Sequence, residues 1–373
     1  MNPAPTGSGG STWEYAPRVS SSSDHADFAA RIQEVLDEFL DGQAARLAPL
    51  GPDAAALVDE ARASVSGGKR FRAAFCYWGF RAVSPDVPDE KALLRACAAL
   101  ELLHASALVH DDFMDASATR RGRPATHVSF DTAHREAGWT GSPSQYGAAA
   151  AILLGDLLLS WADELLRRCG FPLERVGAAL DVFDLCRSEV IAGQFLDVSV
   201  QARGRADVDT AMTVLRYKSA KYSIERPLHV GAALAGGDDV VLEQLSAFGL
   251  PLGEAFQLRD DQLGVFGDPA TTGKPAGDDL VEGKRTVLVA LALDGAPAAD
   301  GAHLDGALGS ALDTDEVERL RRIIVESGAH GQVEAVIDEL TRLALAALDK
   351  APVSEPARTA LRDLAAAATD RHL

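Results

Sequence analysis

From Phe28 onward, apolar positions recur at three- and four-residue spacing. Ile32, Val35, Leu36, Phe39 and Leu40 fall on one stripe, with Glu34, Asp37 and Glu38 off it, which is the pattern of an amphipathic helix. The same texture runs to the C-terminus and predicts helices over 26–48, 52–66, 70–83, 89–113, 145–169, 172–201, 208–234, 237–266, 284–293, 314–328, 330–349 and 354–371. The breaks carry turn residues, such as Ser84-Pro85, Gly138 to Pro143 and Gly236-Gly237. No strand–helix alternation and no internal repeat interrupts the pattern. Residues 1–25 are rich in Ser, Gly and Pro and read as a disordered tail, leaving 26–373 as one all-α domain. Two stretches, 119–144 and 267–283, are long connections rich in Gly, Pro, Arg, Lys and Asp, and connections that long inside a compact domain are usually functional.

Composition supports the helical reading. Of 373 residues, 47% are hydrophobic and 24% charged, enough to build a core, while aromatics are only 6%. The net charge of −19 argues against a nucleic-acid partner. The most apolar run, GAAAAILLGDLLLSWADELL, is interrupted by Asp156, so no stable membrane insertion is expected. The first residues show neither a basic segment nor an apolar one of the kind that directs secretion. Cys76, Cys97, Cys169 and Cys186 are widely spread in apolar contexts without metal-site spacing. A cytoplasmic protein is the expectation.

The sharpest candidate chemistry closes the apolar run LRACAALELLHASALV, at His110-Asp111-Asp112-Phe113-Met114-Asp115. On a helix, Asp111 and Asp115 share a face, where two like charges repel unless a cation lies between them. Oxygen ligands of this kind suit Mg²⁺, which takes one or two carboxylates and fills its remaining positions with water and phosphate oxygens. A lone pattern of this kind could equally be a charged helix end. A second acidic pair, Asp260-Asp261, follows another helical run, LSAFGLPLGEAFQLR, on a stripe that otherwise faces the core. By contrast, Asp238-Asp239 sits at a turn and reads as solvated charge, and Asp278-Asp279 lies in the second long connection. Basic residues gather near these acids despite the acidic total: Lys69, Arg70 and Arg72 beside Gly67-Gly68, Arg120, Arg121 and Arg123 after the first motif, then Lys218, Lys221, Lys274, Lys284 and Arg285. Acid pairs alternating with such clusters imply a polyanion held partly by metal and partly by direct ion pairs, and diphosphate is the simplest.

At this point the chain resembles the trans isoprenyl diphosphate synthases (polyprenyl synthetases), geranylgeranyl diphosphate synthases in particular. The blocks GGKRFR, ELLHASALVHDDFMD, RRGRPATH, GD at 155–156, GQFLD, YKSA, FQLRDD and GKPAGDDLVEGKRT occur in family order from about Gly67 to Arg285. The resemblance implies a single large helical bundle around a central cavity, the isoprenoid synthase type I fold, working as a homodimer. It implies that Mg²⁺, three ions per site with Mn²⁺ as a substitute, bridges Asp111 and Asp115 to an allylic diphosphate, with Asp112 supporting them and Asp260 and Asp261 binding from the facing helix. Lys69, Arg72, His104 and Arg121 match the positions that hold isopentenyl diphosphate. Arg120, Lys218 and Lys274 match cations on the allylic diphosphate, and Lys284 is a further basic position nearby. Gln194 and Asp197 match the GQxxD block, and Ser219 and Gln257 match polar groups beside the reacting carbons.

Two positions depart from the family pattern. The last Asp of the second acidic motif is Gly264; in many members of the family the first Asp of this motif carries most of the ligation, so activity is expected to survive, with Asp268 or Asp279 as candidates to help through water. Ala73 stands where a Pro often follows the GGKRxR block, which should affect only helix entry. Product length follows from the turn below Asp111: Ala107 and Ser106 are small where short-chain members carry an aromatic. Leu103 and Leu102, a turn deeper, would form a floor compatible with a C20 product, with farnesyl or longer polyprenyl chains as alternatives. A class I terpene cyclase would share metal and fold but not the GGKR block. The altered second motif also leaves room for a noncatalytic regulatory subunit.

Overall fold

The computed structural model describes residues 22–205, 207–267 and 277–370. Almost all of them are helical: α1 (Ser22–Leu47), a 3₁₀ turn (Ala48–Leu50), α2 (Pro52–Val65), α3 (Phe71–Val83), α4 (Glu90–Met114), α5 (Thr126–Glu136), α6 (Pro143–Arg167) and α7 (Leu173–Arg203) make the first half. The second half holds α8 (Val208–Val214), a π-helical segment (Leu215–Glu225), α9 (Arg226–Ala235), α10 (Asp239–Phe266), α11 (Asp278–Val281), α12 (Val287–Gly295), α13 (Ala298–Ala307), α14 (Thr314–Glu326), α15 (Ala329–Lys350) and α16 (Glu355–Thr369). The described strands are β1 (Thr119–Arg120) and β2 (Arg123–Pro124), an antiparallel pair with Arg120 opposite Arg123.

α4 is the axis of the bundle. Its Leu93, Ala96, Cys97, Ala99 and Leu100 are fully enclosed, and it packs along α6, α3 and α1. The helix is long and apolar enough to cross a membrane, but 78% of its most apolar window is covered by the protein's own side chains, as befits a core helix. Asp89 starts it by accepting a hydrogen bond from the Ala92 N–H at 2.9 Å. It runs without a break until Asp115, so the acidic motif rides on the C-terminal end of the most buried element.

Three sequence expectations change in the structure. The tail boundary at residue 25 moves, because helix α1 already begins at Ser22; residues 1–21 lie outside the described ones. The 119–144 connection contains the β1–β2 hairpin and α5. That helix is mostly polar and rests against α6 through ring contacts of Phe130 and His134 with Tyr146 and through close backbone approach at Gly147, so it carries little apolar periodicity to read. The single helix expected over 208–234 is three segments, with the π-helical turns in the middle. This wide stretch fits only because its neighbours lack side chains there: a Cβ at Gly193 of α7 would come within 2.4 Å of the Lys218 nitrogen, and one at Gly253 of α10 within 2.5 Å of the Ala220 oxygen.

Candidate active site

The ends of α4, α7, the π-helical segment and α10 enclose a cavity of about 1380 Å³. On its α4 wall, Asp111 accepts a hydrogen bond from Gln194 of α7 at 3.1 Å and pairs with Lys218 at 3.2 Å and Arg120 at 3.7 Å. Burial disfavours the Asp111 charge, yet Lys218, Lys284 and Arg120 outweigh it and hold the carboxyl far below its ordinary range. Lys218 is shared: its ammonium also donates to Asp197 at 2.6 Å. Asp112 is turned into the protein, where both its oxygens accept from Arg120. It is therefore placed to hold that guanidinium rather than to offer a free carboxylate.

The opposite edge comes from α10 and the turn after α11. Asp261 accepts from Gln257 at 2.8 Å, and its carboxyl is pushed up to about 8 by burial and by the neighbouring charge of Asp279. Asp260 lines the cavity beside it. Lys284 ties the two edges together, 3.2 Å from Asp279 and 3.8 Å from Asp115, and pairs with Glu282 at 2.6 Å. Gly264 is filled from outside its own helix: a Cβ there would fall 1.9 Å from Asp279 Oδ2. Lys274 and Asp268 lie outside the described residues.

This donor set fits a divalent cation. Both oxygens of Asp115 are buried and accept no hydrogen bond among the described residues, and burial together with Asp111 raises that carboxyl to about 7. Carboxylates in that state need an added positive charge. Among the described residues no three acids, histidines or cysteines close on a single point, so the protein supplies partial coordination spheres. Mg²⁺ accepts such spheres because water and phosphate oxygens complete them.

At the other end of the cavity the lining is cationic. Lys69, Arg72, His104 and Arg121 all face it. Arg121 and Arg70 both hold left-handed backbone, with φ of 51° and 52°, in loops that also contain Gly68 and Gly122; strain of this kind persists where the surroundings fix it. Arg121 donates to the Ser66 carbonyl at 2.9 Å, and Arg72 donates to Ser223 at 2.7 Å. Arg70 differs from the open cation its place in GGKR suggests: it is buried and bonded to Glu101 at 3.1 Å, Gln33 and the Val65 carbonyl, which pins the loop to α4 and α1. The same Glu101 accepts the Ala73 N–H at 3.2 Å, a bond that a proline at 73 would lack.

One turn or more back along α4 from Asp111 the cavity wall is mostly apolar, a tail channel made of Leu103, Ser106 and Ala107 of α4, Leu159 of α6 and Val190 of α7. Ser106 donates to the Gly155 carbonyl at 2.8 Å, so its hydroxyl is spent on the α4–α6 contact. Leu102 is fully buried and not part of the channel wall, so the floor expected from it falls to Leu103 and the facing helices. Ser219 and Gln257 line the cavity between the two charged ends. Lys221 does not join it: its ammonium pairs with Glu189 at 2.7 Å behind the wall. Asp238 is the N-cap of α10, accepting from Val241 at 3.0 Å. Sequence reasoning missed Tyr222, Glu101 and Glu282; only Tyr222, four residues after Lys218, had a spacing that could have pointed to it.

The comparisons with known proteins agree with this geometry. Residues 55–325 match the polyprenyl synthetase family model. A geranylgeranyl diphosphate synthase of Mycobacterium tuberculosis is 35% identical over 82% of this chain and 81% of its own, and a geranylfarnesyl diphosphate synthase of Natronomonas pharaonis 32% over 75% and 76%. A geranylgeranyl pyrophosphate synthase from Corynebacterium glutamicum, solved in complex with isoprenyl diphosphate and magnesium, superimposes with a TM-score of 0.91 at 38% identity, covering 93% of this chain and 99% of that one. Fold, motifs in order and a cavity with two acidic edges thus converge, and the chain belongs to the polyprenyl synthetase family and is a trans-prenyltransferase.

Proposed function

We propose that the chain joins isopentenyl diphosphate to an allylic diphosphate (dimethylallyl, geranyl or farnesyl) and makes chiefly the C20 product, geranylgeranyl diphosphate. The observation that carries this is one cavity with two separate anion ends: the carboxylates Asp111 and Asp260, with Asp261 beside them and Asp115 buried next to Asp111, at one, and the cations Lys69, Arg72 and Arg121, with His104, at the other. A cyclase, which handles one diphosphate, has no need of the second.

The family uses divalent metal. In this reading Asp111, Asp115, Asp260 and Asp261 would hold three Mg²⁺ or Mn²⁺ ions, which would supply positive charge to the departing diphosphate. Lys218, Arg120 and Lys284 add fixed cations to the same group, and the family resemblance adds Lys274. The allylic carbon–oxygen bond breaks with its electron pair going to the diphosphate. With its diphosphate held by Lys69, Arg72, His104 and Arg121, isopentenyl diphosphate attacks the carbon cation through its double bond, and loss of a proton to the released diphosphate restores an allylic product. Ser219 and Gln257 sit beside the reacting carbons and the channel past Ala107 takes the growing tail.

A homodimer is part of the reading, because Ile152 and Leu153 of α6 and Ile191 and Phe195 of α7 expose their apolar side chains, Phe195 by 73%. A cytoplasmic setting accords with four unpaired, buried cysteines. The test is incubation of the purified chain with Mg²⁺, isopentenyl diphosphate and each allylic starter, with Asp111→Ala as control. Metal-dependent C20 lost in the control supports the reading; C15 or longer chains replace its product assignment, and no elongation overturns it.

A further inference from the structure

His104 and Tyr222 meet on the wall of the cationic end. The Tyr222 hydroxyl lies 2.5 Å from His104 Nδ1, and the Arg72 guanidinium rests 4.2 Å above the Tyr222 ring while bonding Ser223. Tyr222 reaches this point from the π-helical segment, one helical neighbour along from Lys218. The ring edge of His104 that carries Nε2 has no hydrogen-bond partner among the described residues, and His104 lines the cavity.

Two facts fix the protons. Burial and four surrounding arginines, Arg72, Arg121, Arg120 and Arg70, keep His104 neutral, so one ring nitrogen donates and the other accepts. The Tyr222 hydroxyl makes no other hydrogen bond among the described residues, so its hydrogen is satisfied only by pointing at Nδ1. Nδ1 then accepts, and Nε2 carries the ring proton. In the reverse arrangement the phenol hydrogen would be buried without a partner and the Nε2 lone pair would confront any anion that the arginines attract.

We infer that Tyr222 is a positioning residue that locks His104 in its Nε2–H tautomer, so that a neutral imidazole serves as a hydrogen-bond donor to the diphosphate bound among Lys69, Arg72 and Arg121. A neutral donor adds direction to a site whose other groups supply charge. The inference rests on the assignment of that end of the cavity to isopentenyl diphosphate, and the test separates the two.

The test labels the histidine rings with ¹⁵N and compares the intact protein with Tyr222→Phe, a change that keeps the ring under Arg72; His104→Gln identifies the signal and provides a side chain that donates without a tautomer. The expected result is an Nε2–H pattern for His104 in the intact protein and a mixed pattern in Tyr222→Phe. The KM for isopentenyl diphosphate should rise about five- to tenfold, the scale of a weakened hydrogen bond to a charged group, with kcat and the allylic KM little changed. In the His104→Gln background the same Tyr222→Phe change should have no further effect on KM. An Nδ1–H pattern in the intact protein, or an equal Tyr222→Phe effect in both backgrounds, overturns the inference. If the tautomer shifts as expected but the allylic KM rises instead, the lock stands and the assignment of His104 to isopentenyl diphosphate falls.

Discussion

The carboxylate of Asp279 occupies the space directly over Gly264, where a Cβ would lie 1.9 Å from Oδ2 and 2.4 Å from Cγ. The residue that breaks the second acidic motif is thus the one that admits a carboxylate from α11. Restoring a side chain at 264 should therefore harm the enzyme. Gly264→Ala is expected to lower kcat/KM about tenfold and Gly264→Asp further, since overpacking on this scale costs about 1–3 kcal/mol and displaces Asp279 from Lys284. Steady-state kinetics across an Mg²⁺ titration checks this, and a gain of activity in Gly264→Asp would refute it.

Asp115 and Asp261 titrate near 7 and 8 rather than at the ordinary carboxyl value of 3.8, the first through burial and Asp111, the second through burial and Asp279. Between the ordinary value and these raised ones, the folded metal-free chain keeps protons that the unfolded chain has released. Its stability is then greatest at the acidic end of that window and falls as pH rises from about 4 to about 8. Metal binding must expel the same protons, so Mg²⁺ affinity should climb over that range. Melting curves of the metal-free protein against pH, and calorimetric Mg²⁺ titrations in buffers of different ionisation heat, read the two trends; a melting temperature that rises steadily from pH 5 to 8 would contradict the first.

Lys218 neutralises Asp111 and Asp197 together, at 3.2 Å and 2.6 Å. Lys218→Ala leaves both carboxylates facing each other and removes a fixed cation from the leaving-group end. The expectation is a kcat lower by about 10²–10³-fold, the range seen on deleting one preorganised electrostatic partner, with a smaller change in the KM for isopentenyl diphosphate. A loss confined to that KM would place Lys218 on the wrong substrate.

Ala107 is half-buried on the cavity wall, whereas Ser106 is buried and tied to the Gly155 carbonyl. Ala107→Phe should shift the main product toward C15 at nearly unchanged stability. Ser106→Phe should shorten the product too, but with a clear drop in melting temperature, because it breaks that bond and wedges α4 from α6. Product chromatography and thermal melting, run on the same samples, decide the matter; unchanged chain length in Ala107→Phe would move the length control to the facing helices.

Much of this was legible in the sequence because the relevant pattern was local. The helical stripe predicts α4, α6, α7 and α10 nearly end to end, and Asp111, Gln194 and Lys218 stand on one cavity because each rides a helical segment whose buried face fixes its direction. What escaped depended on partners distant in sequence. Arg70 looks like a free cation until Glu101, 31 residues on, turns it inward. Asp112 reads as a metal ligand until Arg120 takes both its oxygens. The vacancy at Gly264 is a defect in the motif and becomes a fit only with Asp279 in view.

The π-helical segment held between Gly193 and Gly253 has a meaning for the chain's length as well as its composition. Lys218 and Tyr222 reach opposite ends of the cavity from one widened coil, so the register of that coil is shared by both. Removing a single residue between Lys218 and Tyr222 would change the angle between their side chains and break the register that sets both on the cavity wall. Neither a tighter core nor a compensating charge elsewhere could restore that alignment. Along this stretch the protein can vary its letters, but it cannot vary their number.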